Sequence, residues 1–398
     1  MSKGTLYLID ATAFCYRAFY ALKGLMTSFG QPTNAVYGFI RMLSKLIKEK
    51  KPLYLGVCFD VSRDTFRAKK FVEYKINRPP MPEGLSSQMP LIKQVIAAYG
   101  IASFEKEGFE ADDVIATIAR RAQEMDFDVV IVSSDKDILQ LVDERIQVFS
   151  PYQDKGFLYT REKVQERFGV PPERVADLLA LMGDDVDNIP GIPGIGEKTA
   201  TRLIKEFHSL DELMNHAGQI HQDKIRRIIA ESQDQIRLNK ELAVLEEKVE
   251  MDFDIESARV KPPDQKELLR LFKYLEFKKL AGDLTLAEES DRVESVFLAD
   301  DELGSLAQAE KEIFLSGADQ ASLALGINSR IFQIKNPGKG LKALLEDPDI
   351  QKVGHDLKRI KTVLSRQGLQ VRGIGFDTMV AAYLINPSKS GYDLQDVS

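Results

Sequence analysis

Carboxylates recur in this chain where a parallel sheet would deliver them to one edge. Three nearly continuous apolar runs, at residues 5–9, 54–59 and 129–132, lead into Asp10, Asp60 and, after two serines, Asp135. Runs of this kind mark strands buried on both faces. In an open parallel sheet the strand C-termini line one rim, where ligands bind, so the pattern predicts a shared rim for these acids. Glu110, Asp112 and Asp113 open the following amphipathic helix, and Asp137 lies just beyond Asp135. Each acid taken singly could be no more than a helix cap. Crowded together, carboxylates repel and raise one another's pKa unless a cation neutralises them. Oxygen donors without His or Cys suit hard ions such as Mg²⁺ or Mn²⁺. His208, His216, His221 and His355 all fall outside this first region and read as ordinary surface or helix residues. Two ions ~4 Å apart in such a nest would suit phosphodiester hydrolysis, one activating water and the other stabilising the leaving oxygen.

The elements that must position these acids alternate. Val36, Phe39, Ile40, Leu43, Leu46 and Ile47 recur at helical spacing between strands, as do Val114, Ile115, Ile118 and Ala119, which predicts a mostly parallel sheet flanked by helices. From about 160 to 285 the pattern turns helical, over 173–182, Glu197–Phe207 and a long stretch at 225–245, interrupted by the Gly/Pro-rich residues 189–196. A polar stretch at 284–292 reads as a linker. Beyond it SVFLAD, EIFLSG, SLALGI and RIFQI read as strands, with helices near 341–345 and 357–364, a second α/β domain. The expected boundaries are 1–172, 173–285, a linker at 286–292, and 293–398.

Composition excludes several classes. The chain is 44% hydrophobic and 29% charged, the profile of a globular protein. It shows no signal peptide and no apolar stretch near the ~20 residues of a membrane span. Cys15 and Cys58 form no paired motif, which predicts reduced thiols and a cytoplasmic setting. A net charge of −7 opposes non-specific nucleic-acid binding, yet residues 61–80 gather Arg63, Arg67, Lys69, Lys70, Lys75 and Arg78. These cations alternate with Phe66, Phe71 and Tyr74, a mixture that serves single-stranded nucleic acid, although a solvated basic helix face has the same composition. Arg17 and Tyr20 follow Asp10 closely enough to offer a phosphate contact and a stacking ring.

The most distinctive segment runs GDDVDNIPGIPGIGEKT from Gly183 to Thr199. Its prolines and glycines predict a tight hairpin between two helices, and Gly194 and Gly196 would let backbone amides approach an anion at a helix start. It is a near miss for a nucleotide P-loop, since Glu197 displaces Lys198 and Thr199 by one position and no buried strand precedes it. A bare helix–helix turn is the other reading.

As a set, LIDATAFCYRAFYAL, VCFDVSRDTFR, EYKINRPPMP, GFEADDVIATIA, SSDKDILQL and LMGDDVDNIPGIPGIGEKTA resemble the 5′ nuclease of bacterial DNA polymerase I, a relative of flap endonucleases, over about residues 4–285. The resemblance implies a PIN-like α/β core (1–172), with an arch at 61–90 near which a 5′ strand passes. A helix–hairpin–helix subdomain (173–285) would follow. It implies metal-binding roles for Asp10, Asp60, Glu110, Asp112, Asp113, Asp135, Asp137, Asp184 and Asp187. Phosphate contacts fall to Arg17, Lys75 and Arg78, and stacking to Tyr20. Gly191, Gly194, Ile195, Gly196 and Lys198 would grip duplex DNA, with a bound potassium ion, and Arg63 and Arg67 would add DNA contacts. Two or more Mg²⁺ or Mn²⁺ ions are expected. The implied partners are 5′-flap, nicked or branched DNA, or an RNA primer on DNA, cut by a monomer that needs no membrane.

From about 293 the chain resembles the start of a 3′–5′ exonuclease-like, RNase H-like domain, through KVGHDLK and GIGFDTMVAAYLINP. Where that family carries an acid-x-acid pair this chain has Phe314-Leu315-Ser316-Gly317-Ala318, its second acid falls on Ile360, and Asp377 alone persists. No 3′–5′ activity is expected. The rival readings are a ribonuclease on a similar acidic core and a non-catalytic DNA-binding module. The Gly-rich hairpin speaks against the first and the full acid set against the second.

Overall fold

The computed structural model describes residues 2–151, 156–284, 295–297, 311–317, 323–327, 330–334, 338–387, 391, 392 and 394. Its contacts divide the chain into one unit at Met1–Ala281 and a second at Gly282–Ser398. The linker expected at 286–292 lies outside the described residues, as do Ala318 and Ser398.

The first unit is built on a sheet of β1 (Gly4–Asp10), β2 (Tyr54–Cys58), β3 (Ala102–Phe104), β4 (Phe127–Val132), β5 (Ile146–Ser150) and β6 (Phe157–Tyr159). Their order is β3-β2-β1-β4-β5-β6. All neighbours are parallel except β6, which runs antiparallel to β5. The continuous apolar runs became the central strands: every residue of β2 is buried, and Leu6, Leu8 and Ile9 of β1 are fully so. Between β1 and β4 the order reverses direction along the sheet, which opens the crevice where α/β folds bind ligands. The helices Asn34–Lys50 and Ala111–Glu124 bury Val36, Phe39, Ile40 and Leu43, and Val114, Ile115, Ile118 and Ala119, the faces their spacing predicts.

The helical part is less regular than expected. The stretch at 173–182 begins as a tight turn at Pro172–Arg174 before the helix Val175–Met182, and the long stretch at 225–245 is two helices, Asp223–Glu231 and Gln233–Ala243, broken at Ser232. Leu178, Leu203 and Ile236 belong to the same buried cluster as Leu6, Val114 and Ile131. Residues 1–172 and 173–285 therefore share one continuous core. Residues 61–90 comprise the five-residue helix Phe66–Lys70, a run of turns and the helix Glu83–Ser86. The segment is anchored inward by the buried side chains of Arg67, Tyr74 and Leu85.

The second unit is a sheet of β7 (Ser295–Phe297), β8 (Glu312–Ser316), β9 (Leu323–Ile327), β10 (Arg330–Ile334), β11 (Gln351–Gly354) and β12 (Ile374–Asp377). Its order is β12-β11-β8-β9-β10-β7. The helices Lys339–Glu346 and Leu357–Arg366 pack Leu341, Leu344, Leu345, Leu357, Ile360 and Leu364 into its core. No helix among the described residues is long and apolar enough to cross a membrane.

Candidate active site

The rim forms because each acid stands at the end of an element whose interior is apolar. Asp10 closes β1 and caps the helix Ala11–Ala21, accepting from the Ala13 amide at 3.4 Å. Its other oxygen accepts from the Ser133 hydroxyl at 2.9 Å, beyond the end of β4. The Ser133 hydroxyl accepts from the Asp135 amide at 3.0 Å, and Asp135 in turn accepts from the Asp137 amide at 2.9 Å. One run of hydrogen bonds thus ties four residues from the two central strands. Asp60 follows β2, is exposed, and accepts from the Ala111 amide at 2.8 Å, which fixes it beside the start of the helix carrying Asp112.

Charge crowding follows. Burial, then Asp60, then Asp135 push the Asp10 carboxyl up to about 7, against the Ser133 and Ala13 hydrogen bonds. Burial also holds Asp112 well above the usual carboxylate range, reinforced by Asp135, Asp10 and Asp60 and opposed by Lys75. Asp137 is raised by burial and then by Asp135, Asp187 and Asp184, with Lys136 opposing. The acids therefore form two overlapping groups. Asp10, Asp60, Asp112 and Asp135 make one; Asp135, Asp137, Asp184 and Asp187 make the other, and Asp135 belongs to both.

Cations sit against the second group. Lys75 Nζ lies 2.7 Å from Glu110 and 3.2 Å from Asp187, Arg78 reaches Asp187 at 2.5 Å, and Lys136 reaches Asp184 at 2.9 Å. Burial alone would lower the Lys75 ammonium, but Glu110, Tyr74 and Asp187 more than reverse it. The Tyr74 hydroxyl lies 3.0 Å from Glu110 and 3.1 Å from Asp187, and its one proton is shared between these two carboxylates. Neither Lys136 nor Ser133 stands out in the sequence, and Tyr74, expected to offer its ring to single-stranded nucleic acid, is instead buried with its hydroxyl on the acids. The adjacency of Tyr74 to Lys75, and of Lys136 to two acids, was the available signal.

The donor set fits hard divalent ions in chemistry. It is all oxygen, it is crowded, and Asp137 Oδ1 is buried with no hydrogen-bond partner. As the side chains stand, no three acids among the described residues enclose a single ion. The acids converge within electrostatic reach while amides, hydroxyls and cations occupy most of their oxygens.

Three further expectations are corrected. Asp113, expected as a ligand, is fully buried and turned away from the rim: Arg67 holds both its oxygens at 2.7 Å, and the Glu110 and Glu246 amides donate to it at 3.1 and 2.9 Å. Arg67, expected on DNA, is 1% exposed and also donates to the carbonyls of Leu242 and Val244 at 2.9 and 2.7 Å. No strand can reach it. Ile195, expected in the duplex grip, buries its side chain and donates its amide to Ile192 at 2.9 Å.

Elsewhere the hairpin offers surface. Gly194, Gly196 and Lys198 are exposed, with Gly196 capping the helix Glu197–Phe207. Gly191 is spent on packing: a Cβ there would stand 2.3 Å from the Met182 carbonyl oxygen. Asp184 and Ile189 exchange backbone hydrogen bonds, both 2.9 Å, which closes residues 184–189, with Asp184 and Asp187, into a short loop just before the glycine turn. Arg17 and Tyr20 lie on the exposed face of the helix after Asp10, Tyr20 edge-on to Phe19. Arg63 is exposed and donates to the Pro79 carbonyl.

In the second unit Ile313 and Leu315 of β8 face the core and Ile360 is buried. Asp377 accepts from the amides of Leu357 and Met379 at 2.8 and 2.9 Å, and from that of Asp356 at 3.2 Å. The one acid of that family pattern is thus held by backbone.

Comparison with known proteins agrees with this architecture. Residues 5–169 match the model of the 5′-3′ exonuclease N-terminal resolvase-like domain, 170–266 the 5′-3′ exonuclease C-terminal SAM fold, and 328–398 the DNA polymerase I ribonuclease H-like domain. A 5′-3′ exonuclease of Aquifex aeolicus is 41% identical over 280 residues, 70% of this chain and 95% of that protein. DNA polymerase I of Bacillus subtilis is 33% identical over 99% of this chain and 47% of its own length. The chain thus spans about half the length of its polymerase relatives. Among solved structures, a zinc-bound T5 5′-exonuclease has a TM-score of 0.52 at 21% identity, covering 71% of this chain and 98% of that one. A bacteriophage T5 flap endonuclease in complex with DNA and metal ions has 0.51 at 20%, with the same coverage. These last two are likenesses of fold. The chain belongs to the 5′-3′ exonuclease family and is a hydrolytic nuclease with a resolvase-like α/β core, a helical subdomain and an RNase H-like region.

Proposed function

We propose that the chain cleaves DNA at 5′ ends and flaps, in primer removal and repair, using Mg²⁺ or Mn²⁺ held by Asp10, Asp60, Asp112 and Asp135 and by Asp137, Asp184, Asp187 and Glu110. The observation that carries this reading is the convergence of acids from separate elements on one rim, where Asp10 and Asp112 are raised by burial and by Asp60 and Asp135, and Asp137 by burial and by Asp135, Asp187 and Asp184, a crowding that cations relieve. Bound ions would supply a water of lowered pKa and charge neutralisation at the phosphate.

The chain's own residues do the rest. Lys75 and Arg78, packed on Glu110 and Asp187, are positioned to stabilise charge on the phosphate, a role in which one removed group costs roughly 10²–10³ in turnover. Tyr74 orients Glu110 and Asp187 through its hydroxyl. Arg17 and Arg63 would track the entering strand, and Tyr20 would stack on an unpaired base. Gly194, Gly196 and Lys198 offer amides and a charge to a duplex phosphate, with potassium as a further occupant of that turn. The second unit is proposed to be without 3′–5′ activity, because apolar residues and Gly317 stand at the other acid positions. A monomer in the cytoplasm is sufficient for this chemistry.

The test is cleavage of 5′-flap, nicked and single-stranded DNA by wild type, Asp112→Asn and Asp60→Ala, with Mg²⁺ or EDTA. Loss of at least about a hundredfold in each variant, and arrest in EDTA, is expected; turnover that survives either substitution or chelation would remove the mechanism. Lys75→Ala and Arg78→Ala should slow single-turnover cleavage by roughly 10²-fold or more with little change in melting temperature.

A further inference from the structure

The buried Arg67–Asp113 pair joins three stretches of chain that the nuclease reading needs in register. Arg67 belongs to the short helix Phe66–Lys70, from which the chain turns through Phe71 and Tyr74 to Lys75 and Arg78. Asp113 sits in the first turn of the helix Ala111–Glu124, between the acids of the rim and the apolar face, and accepts from the Glu110 amide. The third stretch follows the helix Gln233–Ala243. Its Leu242 and Val244 carbonyls accept from Arg67 and its Glu246 amide donates to Asp113. Neighbouring contacts hold that stretch on the same helix: the Thr117 hydroxyl donates to the Glu246 carbonyl and accepts from the Val249 amide, each at 3.1 Å.

The Arg67 guanidinium, committed to Asp113 and two carbonyls and lying 3.5 Å from Glu110, fixes both distance and rotation, which a lysine's point charge cannot do. The opposite end of the Arg67 segment is the Lys75 amide, bonded to the Asp187 carbonyl at 2.9 Å. The segment is thus held at two points, one at Asp113 and one at Asp187, with the site cations at the second.

We infer that Asp113 acts with Arg67 as a positioning pair, and not as a metal ligand, setting Lys75 against Glu110 and Asp187 and Arg78 against Asp187. The inference rests on the metal-dependent nuclease reading and refines it: of two adjacent acids on one helix, Asp112 serves the reaction directly and Asp113 through Arg67.

The experiment uses the full chain, with Mn²⁺ as the probe ion in calorimetric titration and a 5′-flap oligonucleotide in single-turnover cleavage. Wild type is the control for the underlying reading; if it binds no Mn²⁺ and does not cleave, that reading fails before the pair is tested. Asp113→Asn is expected to bind as many Mn²⁺ ions as wild type while its maximal cleavage rate falls about thirtyfold at unchanged DNA affinity. Arg67→Met should show the same split, and the double variant Arg67→Met/Asp113→Leu should be no slower than either single one. Arg67→Lys should recover little of the rate, because charge without the fork does not restore the geometry. Fewer Mn²⁺ ions bound by Asp113→Asn would make Asp113 a ligand and overturn the inference, as would full cleavage by Arg67→Met. Should Asp113→Asn fail to fold, the double variant decides, since a packed apolar pair commonly replaces a buried ion pair. Full Mn²⁺ stoichiometry there supports the positioning role, and reduced stoichiometry overturns it.

Discussion

Asp10, held up to about 7 by burial and by Asp60 and Asp135, gives the acid rim a measurable sign. A native carboxyl that keeps its proton more firmly than the unfolded chain does, where its value is about 3.9, favours folding at low pH. That stabilisation is complete below about 4 and is lost as the pH climbs toward 7. In EDTA, thermal stability should therefore fall between pH 4 and 7, by on the order of 4 kcal/mol if Asp10 acted alone. Mg²⁺ should restore it most above pH 7. Asp10→Asn should make the EDTA profile shallower, with Asp112 and Asp137, raised in the same direction, supplying the remaining slope; melting curves across this range check it, and a variant with the wild-type slope would contradict the assignment. The positions of Asp10 and Asp60 were legible because strand length and apolar continuity fix where a chain leaves a sheet. The division of labour between Asp112 and Asp113 was legible only in part. Both stand in the first turn of one helix and family likeness treats them alike; what separates them is Arg67 taking both oxygens of Asp113, a long-range contact. Arg67 was missed for a related reason: counting charges in residues 61–80 gives a basic segment without giving the direction any side chain takes.

At the scale of elements, the Gly-rich hairpin divides into positions that pack and positions that face out. Gly191→Ala would drive a Cβ to 2.3 Å from the Met182 carbonyl oxygen and should destabilise the unit by about 1–3 kcal/mol, read as a lowered melting temperature. Nothing stands within 4 Å of the corresponding Cβ at Gly196, so Gly196→Ala should leave stability within ~0.5 kcal/mol, and any loss of duplex affinity there reports the surface itself. Lys198→Ala should lower the salt dependence of duplex binding by about one unit of slope, measured as affinity against salt concentration. The hairpin's existence was plain from its glycines and prolines; which of them carry packing was not, because that depends on the Met182 backbone meeting Gly191. Strands β3, β5 and β6 also escaped notice. Two have only three residues, and β5 alternates buried and half-buried positions around Gln147, too little signal for a run of apolar residues.

For the molecule as a whole, two sheets carry opposite fates of the same design. In the first, acids leave the strand ends with oxygens still able to take a cation. In the second, Asp377 is consumed by backbone amides and Ile360 lies in the core. The full chain is accordingly expected to release nothing from a 3′-labelled single strand in Mg²⁺ under conditions where a 5′-labelled flap is cut. Comparable 3′ release that persists in Asp112→Asn would show a second centre. The sequence carried this contrast well, since lost acids are visible without coordinates. It did not show that residues 1–172 and 173–285 share one core, because the packing of Leu178 and Ile236 beside Val114 is a long-range fact.

The paired amides and carbonyls of Asp184 and Ile189 have a mechanical meaning. They close residues 184–189 into a short ring that carries Asp184 and Asp187, while the exposed Gly194 and Gly196 lie beyond it. Inserting one residue after Asn188 should open that ring and blunt ion uptake more than duplex affinity; equal losses of both in parallel titrations would show that the glycine turn moves with the acids.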